Sequence, residues 1–554
     1  MLRIRVHQPC LICLIVSALL MTYGVTEAAD GTSVNDAPRP NIIYIMADDM
    51  GYGDAKPFGQ DRCKIPTPGI DQLAAEGLRF TNAHSVSSVC VPVRVAIMTG
   101  RYPWRFNRVQ PDGPWGFLNP RIPTTHNTIG KMLQAAGYTT GYVGKWHLGT
   151  KMQTTDGKNQ GITNVDYKKP LTISPVQYGF DYSFILPGSL DMYPYVFIRN
   201  GMWVGNVNKQ RGWSAFNRIG PTEENFEDYE VLNTFSNEVE TFIEKNATPS
   251  KSGKPFFLYF ALTAPHTPTS PHPDFQGKTE LGLYGDFVSE VDNCVARTLS
   301  ALKKHGIDHN TMVVFTSDHG PASYAGNIKK ATYNNIKGLE KMGHYPAGIY
   351  RGYKFSVYEG GLRVPYVVRW PAMVKPRQTC NRLIGLQDLM ATIAEVSGAV
   401  VADTEAPDSI SYAPLLRDPN LTATREAMIM SSVMSYTIIR GDWKLTLCPG
   451  SGARGVYGNT PKWDDAWNDA VDQFGRRPNY EELLSHPFVQ LFNLREDPTE
   501  SQDLSEANPK LIIELFDIIT TTWKNGRTTS GPKLSNDKPG VNYWARVPKT
   551  VTGK

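Results

Sequence analysis

The chain has 554 residues, of which 41% are hydrophobic and 20% are charged, and its formal net charge is +4. These proportions exclude a disordered or fibrous chain, and the length exceeds what one hydrophobic core usually organises. Because nucleic-acid binding needs a concentrated basic face, a net charge this small and dispersed excludes a nucleic-acid partner.

The first 29 residues have the layout of a secretory signal peptide. Arg3 and Arg5 precede an apolar run at 11–21, and small residues follow at 26–29. A membrane anchor is the alternative, but the run is shorter than the roughly 20 residues that a spanning helix needs. We therefore expect an exported protein, periplasmic or secreted, with no stable membrane insertion.

Residues 30–424 alternate between buried strands and amphipathic helices. The run NIIYIMA at 41–47 is typical of a strand buried on both faces of a parallel sheet. Thr67 and Pro68 begin a helix that Gly77 ends. The later predicted elements are a helix at 129–136, strands at 139–143 and 256–261, a helix at 286–304 and a strand at 312–316. This order predicts an α/β domain with a doubly wound, mostly parallel sheet flanked by helices.

The sequence changes texture at Arg425. Short apolar segments at 427–433 and 436–447 are separated by stretches rich in Gly and Pro, and a final helix is predicted near 509–524. This pattern predicts a smaller C-terminal α+β domain at 425–554 that contains an antiparallel sheet.

The mature chain keeps an odd number of cysteines in a compartment that permits disulfides, so one of them is expected to have another function. They are Cys63, Cys90, Cys294, Cys380 and Cys448. Cys294 lies on the apolar stripe of the helix predicted at 286–304, which indicates a buried, inert thiol.

Four predicted strands run into polar side chains at their carboxyl ends. These residues are Asp48 and Asp49, Lys145 and His147, His266, and Asp318 and His319. Each residue alone is explained equally well as a helix cap or a solvent-facing side chain. Together they are different, because the carboxyl ends of parallel strands meet at one edge, where open sheets bind ligands. Two strands that contribute carboxylates predict a site for a hard divalent cation, and the neighbouring histidines and lysine suit an anionic substrate.

Calcium is the cation that this oxygen-rich set favours. Zinc is less favoured, because the sequence has neither the set of thiolates nor the H-x-x-x-H pair that zinc sites use.

The segment 87–105, SSVCVPVRVAIMTGRYPWR, singles out Cys90. Pro92 suits the first turn of a helix, so Cys90 is predicted at a helix N-terminus, where free N–H groups and the dipole favour negative charge. Arg94 follows four residues later on the same helical face. The alternative is an ordinary thiol with a lowered pKa.

The pattern C-x-P-x-R, formed by Cys90, Pro92 and Arg94 and followed by T-G-R at 99–101, resembles the signature of the type I sulfatases. In that family the cysteine becomes formylglycine. Further blocks resemble family segments in family order and cover nearly the whole mature chain, at 46–54, 144–149, 264–268, 316–320, 352–365 and 490–500. The resemblance implies an α/β domain like that of alkaline phosphatase, followed by a smaller C-terminal domain.

The resemblance also implies a role for each site residue. One Ca²⁺ ion would be bound by Asp48, Asp49, Asp318 and His319, with the modified residue 90 completing the shell. Arg94 and Lys145 would hold the formylglycine hydroxyls, and His147 would act as the base when the sulfated intermediate breaks down. His266 and Lys354 would bind the sulfate and stabilise or protonate the leaving oxygen.

Two positions depart from the family pattern, since His319 stands where many members have asparagine and Val93 stands where most have serine.

The resemblance also implies two partners, a sulfated saccharide as the substrate and the formylglycine-generating enzyme that matures Cys90. One hydroxyl of hydrated formylglycine attacks sulfur, and the other expels sulfate.

The substrate pocket is predicted at 187–200 and at 104–108, whose aromatic and charged side chains suit sugar faces and hydroxyls, although simple surface packing explains them as well. The block SLDMYPY at 189–195 resembles the corresponding block of carbohydrate sulfatases that act on galactose or N-acetylgalactosamine 6-sulfate.

Two alternative functions are a phosphatase or phosphodiesterase of the same superfamily and an inactive carbohydrate-binding relative. Cys90 in C-x-P-x-R and a single metal favour the sulfatase over a two-metal phosphatase. Every expected catalytic position is filled, which argues against the inactive relative.

Overall fold

A ten-stranded sheet forms the centre of the protein in the computed structural model. The structure describes residues 39–106, 112–212, 217–325, 336–432, 435–452 and 487–537, together with 547 and 549. The predicted signal peptide lies outside these residues. In the described part of the chain, no helix has both the length and the apolar composition needed to cross a bilayer.

Five neighbouring strands of the large sheet run parallel. They are β11 (Thr311–Ser317), β1 (Asn41–Asp48), β10 (Phe256–Pro265), β4 (Thr139–Lys145) and β5 (Tyr182–Leu186), in this spatial order. Ile42 pairs with Phe257 on one side and Met312 on the other, so β1 is central. The continuous apolar run of β1 is explained by this position, because all of its residues are buried.

Shorter strands extend the sheet at both edges. Beyond β11 lie β12 (Tyr366–Arg369), β2 (Leu78–Phe80) and β13 (Gln378–Cys380), and beyond β5 lie β6 (Ile198–Arg199) and β7 (Met202–Trp203). Two small pairings stand apart from this sheet: β3 (Ala83–His84) with β14 (Ile384–Gly385), and β8 (Val207–Arg211) with β9 (Gly220–Glu223).

Helices flank the large sheet in two groups. One group packs together as α2 (Pro68–Ala75), α5 (Val231–Lys251) and α6 (Leu283–Lys304), and a second as α3 (Cys90–Thr99), α4 (Ile129–Ala135) and α9 (Leu389–Ser397). The shorter helices are α1 (Lys56–Gly59), α7 (Ile336–Lys341), α8 (Glu359–Leu362) and α10 (Ala413–Arg417). The predicted fold class, a mostly parallel sheet flanked by helices, is confirmed.

A separate antiparallel sheet follows in the C-terminal part of the chain. It consists of β15 (Ala427–Ser431), β16 (Tyr436–Arg440), β17 (Trp443–Leu447) and β18 (Gln490–Asn493), and α11 (Pro509–Asn525) contacts its two middle strands. Ser431 donates its backbone N–H to Val86 and accepts one from Ser88, which ties this sheet to the segment leading into Cys90. The domain boundary at 425 stays a prediction.

Candidate active site at the carboxyl edge of the sheet

The strand register brings the sequence-predicted site residues to one edge of the large sheet. Asp48 pairs with Pro265, and Ala47 pairs with Ser317, so the residues that follow β1, β10 and β11 leave the sheet side by side. Lys145 and His147 leave β4 at the same edge. All the predicted site residues are buried, with at most 6% of any one exposed. A group of buried charges this dense needs partners or a ligand.

Two unusual backbone conformations direct side chains into this edge. Asp49 has φ +63° and His147 has φ +51°, a left-handed conformation that non-glycine residues rarely adopt. Between the strands, Gly144 has φ +119°, and a Cβ there would lie 1.8 Å from the Ala261 carbonyl oxygen. Only glycine lets β4 approach β10 so closely at the point where Lys145 enters the site.

Asp48 is neutralised by two cations of the predicted set. Its Oδ2 lies 2.5 Å from Lys145 Nζ, and its Oδ1 lies 3.3 Å from Arg94 Nη2. Burial alone would raise the pKa of Asp48, but Lys145, His266 and Arg94 together lower it well below its ordinary value. The carboxylate is therefore ionised at neutral pH.

Asp49 is held by Lys354, which comes from a distant loop. Lys354 Nζ lies 2.8 and 2.9 Å from the two carboxylate oxygens of Asp49. The loop is fixed on both sides, since Lys354 donates its backbone N–H to Pro321 and Phe355 donates its own to Ser88. Burial alone would lower the pKa of Lys354, but Asp49 and Cys90 raise it well above its ordinary value, so the ammonium stays charged.

Asp318 has the weakest cationic compensation of the three carboxylates. Its Oδ2 lies 3.5 Å from Arg94 Nη2 and has no hydrogen-bond partner among the described residues. Burial is the largest cause that raises the pKa of Asp318, and Asp48 raises it further because the two negative charges repel. Asp318 is therefore the least neutralised of the three carboxylates, although His319, whose Nε2 lies 3.7 Å from Asp318 Oδ1, and Arg94 offset part of its charge.

These carboxylates suit a divalent cation, and Cys90 lies among them. Ligand atoms of Asp48, Cys90 and Asp318 lie within 4.8 Å of one another, and so do those of Asp49, Cys90 and His319. Carboxylate oxygens are ligands that hard divalent cations such as calcium prefer. Cys90 is the first residue of α3, as its predicted place at a helix N-terminus requires.

His319 directs one ring nitrogen to this group. Its Nδ1 lies 2.9 Å from the Gly320 carbonyl oxygen, which assigns the Nδ1 proton to that hydrogen bond. Its Nε2 lies 3.3 Å from Cys90 Sγ and 3.4 Å from Asp49 Oδ1. Burial alone would lower the pKa of His319, but Asp318 and Cys90 raise it to about 9. Protonated His319 therefore neutralises part of the carboxylate charge that a bound metal cation would otherwise neutralise.

The two remaining histidines differ in their surroundings. Burial lowers the pKa of His147 well below its ordinary value, and Lys145 lowers it further, so the imidazole is neutral. Its Nδ1 has no hydrogen-bond partner among the described residues. His266 is oriented by the contact of its Nδ1 with the Thr267 carbonyl oxygen at 2.6 Å, which leaves its Nε2 3.7 Å from Asp49 Oδ2. One neutral and one oriented histidine therefore stand beside the charged group.

A buried network that the sequence reasoning missed fixes the loop after β1. Asp54 accepts hydrogen bonds from the Gly51 backbone N–H at 2.7 Å and the Tyr284 hydroxyl at 2.8 Å. Its other oxygen lies 2.8 Å from His344 Nε2. Asp54 belongs to the block 46–54 that carried the family resemblance, and this position in the motif was the available signal. His344 and Tyr284 are distant in sequence and gave none.

Most of the described aromatic residues in the two predicted pocket segments pack into the protein, and one acidic residue lies beside the site. Trp104 is 8% exposed and stacks on Tyr102 with ring centroids 4.1 Å apart, and Arg105 is fully buried, so these two residues belong to the core. Residues 107 and 108 lie outside the described part. In the segment 187–200, Tyr193 is buried as well, whereas Asp191 lies beside the site with its Oδ1 3.9 Å from His266 Nδ1. Aromatic residues in these segments pack inward because their large apolar area is more stable when buried.

The five cysteines in the described part of the chain are all buried, and none of them forms a disulfide. This holds for Cys63, Cys90, Cys294, Cys380 and Cys448. The prediction that Cys294 is a buried thiol is confirmed, and burial raises its pKa to about 12. The odd number of cysteines therefore did not mark Cys90, because none of the other four is paired.

Comparisons with known proteins agree on one family. The family model described as Sulfatase matches residues 40–399. An N-acetylgalactosamine-6-O-sulfatase of Bacteroides thetaiotaomicron is 31% identical over 90% of this chain and 96% of its own length. An N-acetylgalactosamine-6-sulfatase of Sus scrofa is 27% identical over 94% and 92% of the two chains. A solved Bacteroides thetaiotaomicron structure, described under the metabolism of multiple glycosaminoglycans, superposes with a TM-score of 0.72, 30% identity and coverage of 88% and 99%.

Proposed function

The chain belongs to the sulfatase family and is a sulfatase, and from that premise we propose that it removes sulfate from a sulfated carbohydrate. The proposed substrates are galactose or N-acetylgalactosamine 6-sulfate at the end of a saccharide, because the relatives in Bacteroides thetaiotaomicron and Sus scrofa are named for the second of these esters. The reaction consumes water and yields the free sugar hydroxyl and sulfate. The protein is proposed to act outside the cytoplasm.

The observation that carries the proposal is the place of residue 90. Cys90 opens α3 and lies among Asp48, Asp49 and Asp318 at the carboxyl edge of the sheet. We propose that a maturation enzyme converts this cysteine to formylglycine, so that the thiol marks where the hydroxyls of the hydrated aldehyde would lie. Hydrated formylglycine supplies two hydroxyls on one carbon, one to attack sulfur and one to expel sulfate, which neither cysteine nor serine offers.

One calcium ion is the proposed partner of this residue. The proposed ligands are the carboxylates of Asp48, Asp49 and Asp318, together with His319 and residue 90. Among the described residues Asp318 Oδ2 has no hydrogen-bond partner, and the pKa of this side chain is raised; both observations support a cation at this place. Calcium would supply positive charge that offsets the carboxylates, so that an anionic ester is not repelled.

The other residues are proposed to bind the ester and move protons. Lys354 is charged and directs its ammonium into the site, where it suits a sulfate oxygen. His266 is oriented with Nε2 toward the site and, with a proton on each ring nitrogen, would donate the Nε2 proton to the leaving sugar oxygen. His147 is neutral, so that a ring nitrogen can accept a proton when the intermediate breaks down. Arg94 and Lys145 are proposed to hold the hydroxyls at residue 90 in addition to neutralising Asp48.

The test compares sulfate release from galactose 6-sulfate by the parent and by Cys90→Ser. We expect the parent to release sulfate and the variant to lose at least ~10³-fold in kcat/KM, since it lacks the second hydroxyl. Cys294→Ser is the matched control, because Cys294 is an equally buried thiol outside the site. It should keep the parent rate.

The same assay with galactose 6-phosphate addresses the phosphatase alternative. Phosphate released faster than sulfate by the parent would contradict the proposal. Equal sulfate release by the parent and Cys90→Ser would contradict it as well.

A further inference from the structure

We propose that Asp191 selects the sugar by accepting a hydrogen bond from a ring hydroxyl close to the sulfate ester. This inference rests on the proposed function, which supplies the sulfate and the leaving oxygen but leaves the sugar ring without an assigned partner. Asp191 lies in the loop after β5 and contributes the carboxylate nearest to His266 outside the group of proposed calcium ligands.

The unused oxygen of Asp191 is the first reason for the proposal. The residue is 6% exposed, and its Oδ1 is buried without a hydrogen-bond partner among the described residues. A buried, charged acceptor without a hydrogen bond destabilises the protein, because it has lost its bonds to water and gained none in return. A ligand hydroxyl that donates to Oδ1 would supply the hydrogen bond that this oxygen lacks.

Orientation of His266 does not explain that oxygen. The Nδ1 of His266 lies 2.6 Å from the Thr267 carbonyl oxygen but 3.9 Å from Asp191 Oδ1. The carbonyl therefore takes the Nδ1 proton, and 3.9 Å is too long for a hydrogen bond. Asp191 Oδ1 stays available beside the imidazole that is proposed to protonate the leaving oxygen.

The second oxygen of Asp191 is fully engaged by Arg218. Arg218 Nη1 donates to Asp191 Oδ2 at 2.7 Å and to the Asp191 backbone carbonyl at 2.9 Å. The guanidinium carbon of Arg218 lies 3.4 Å from the ring centroid of Trp115, so the cation is held between an aromatic face and the carboxylate. This pairing offsets the negative charge of Asp191, which would otherwise repel a sulfate ester.

The loops that carry this pair are fixed to one another. Trp115 has φ +54°, and the next residue, Gly116, donates its backbone N–H to the Tyr193 carbonyl oxygen at 3.0 Å. The Tyr195 hydroxyl donates to the Arg218 carbonyl oxygen at 2.6 Å. A strained backbone held by neighbouring loops is typical of a preorganised binding site.

The chemistry of the group restricts what it can recognise. A carboxylate oxygen only accepts hydrogen bonds, and Arg218 is already committed, so the pair suits a neutral hydroxyl and disfavours a second sulfate or a carboxylate on the sugar. The inferred ligand is therefore a sugar sulfate with an unmodified hydroxyl near the ester. Neighbouring sulfation at that hydroxyl should prevent binding.

The test measures binding by calorimetry in the Cys90→Ala background, where no turnover interferes. The ligands are galactose 6-sulfate and its 2-, 3- and 4-deoxy analogues, and Asp191→Ala is compared with unchanged Asp191. We expect Asp191→Ala to weaken binding of galactose 6-sulfate roughly 10- to 100-fold, as for a lost hydrogen bond to a charged group. One deoxy analogue should show the same loss with Asp191 present and no further loss in Asp191→Ala.

Asp228→Ala is the matched control, because its carboxylate pairs with Arg211 at 2.7 Å, the same distance as in the Asp191 and Arg218 pair. It should leave the affinity unchanged within about twofold, the usual size of surface effects. Asp191→Asn, whose amide oxygen can still accept from Arg218, should show a smaller loss with the same preference among the analogues. This second variant covers the case in which Asp191→Ala does not fold.

Equal affinity of the Asp191 variants and the Asp191 protein for galactose 6-sulfate would overturn the inference, and so would a uniform loss across all four sugars. Failure of the proposed function is recognised separately, because it would appear as absent sulfate release by the protein with Cys90 intact, whatever the binding data show.

Discussion

Two groups of buried charges in this protein differ in how completely they are paired. In the first, Arg105 donates to both oxygens of Asp408 at 2.7 Å, and Arg425 pairs with both oxygens of Asp388. Each of these carboxylates also accepts two further hydrogen bonds: Asp408 from the Tyr102 backbone N–H and the Thr528 hydroxyl, and Asp388 from the backbone N–H groups of Ile410 and Gly385. The second group is the sheet edge, where the pairing is incomplete.

At the sheet edge, side-chain atoms of Asp318, His147 and Asp191 have no hydrogen-bond partner among the described residues. Burial alone is common to both groups and does not distinguish them. The comparison indicates that incomplete hydrogen bonding of buried polar groups, and not burial itself, distinguishes the sheet edge from these structural ion pairs.

Substitution of Asp318 should have the largest effect and test the comparison most severely. We expect Asp318→Asn to weaken calcium binding at least ~10²-fold and to lower kcat/KM about 10³-fold, because a proposed ligand loses its charge. In calcium-free protein the same change should raise Tm by about 1 °C, which corresponds to about 1 kcal/mol for a chain of this length, since it removes repulsion from Asp48 and Asp49. Titration with calcium and thermal unfolding in EDTA measure these effects. A lower Tm of the calcium-free variant would contradict this prediction, because it would show that Asp318 stabilises the protein as the structural ion pairs do.

Substitution of Asp408 should instead lower the stability of the protein and leave its activity unchanged. Asp408→Asn leaves Arg105 buried without its counter-charge, so we expect the free energy of unfolding to fall by roughly 3–5 kcal/mol. Calcium affinity and kcat/KM of the folded protein should stay within about twofold of the parent. Urea unfolding followed by activity assays of the folded fraction measures both quantities. A selective loss of activity without loss of stability would remove the distinction between the two groups.

The pH dependence of the reaction tests the unpaired histidine and has the smallest expected effect. Because burial and Lys145 lower the pKa of His147, its imidazole stays neutral below pH ~6.5, the ordinary value for histidine. We therefore expect that protonation of His147 causes no loss of kcat/KM as the pH falls from 8 to ~6.5. The His147→Gln variant should have a kcat/KM about 10²-fold lower than the parent at every pH in this range.

The same lowered pKa affects stability. The unfolded chain binds a proton at this histidine at a higher pH than the folded chain does, so the contribution of His147 to stability falls as pH drops below ~6.5.

The kinetic prediction would be contradicted if kcat/KM of the parent fell with a midpoint near pH 7 and this fall disappeared in His147→Gln. That result would show that the histidine is not held neutral.

Much of the fold was predictable because its signals are local. The apolar run of β1, the proline and glycine at the ends of the second helix, and the stripe of α6 each depend on neighbouring residues. The structure extends β10 to Pro265, beyond the predicted end at 261, because the strand continues to pair with Asp48. That extension depends on a partner strand more than 200 residues away, which a local pattern does not report.

The site was predictable to a similar extent and for a similar reason. Residues directly after parallel strands must meet at one edge, so Asp48, Asp318 and His266 could be placed from the strand order alone. Lys354 follows no strand, and only the family resemblance assigned it a role. Arg218 was missed because its pairing with Asp191 depends on the approach of two loops.

The mass of the tryptic peptide that contains Cys90, isolated from catalytically active protein of the native host, tests the central claim most directly. We expect the mass of an aldehyde or its hydrate at residue 90. An intact thiol as the only form in protein that releases sulfate would contradict the proposed nucleophile.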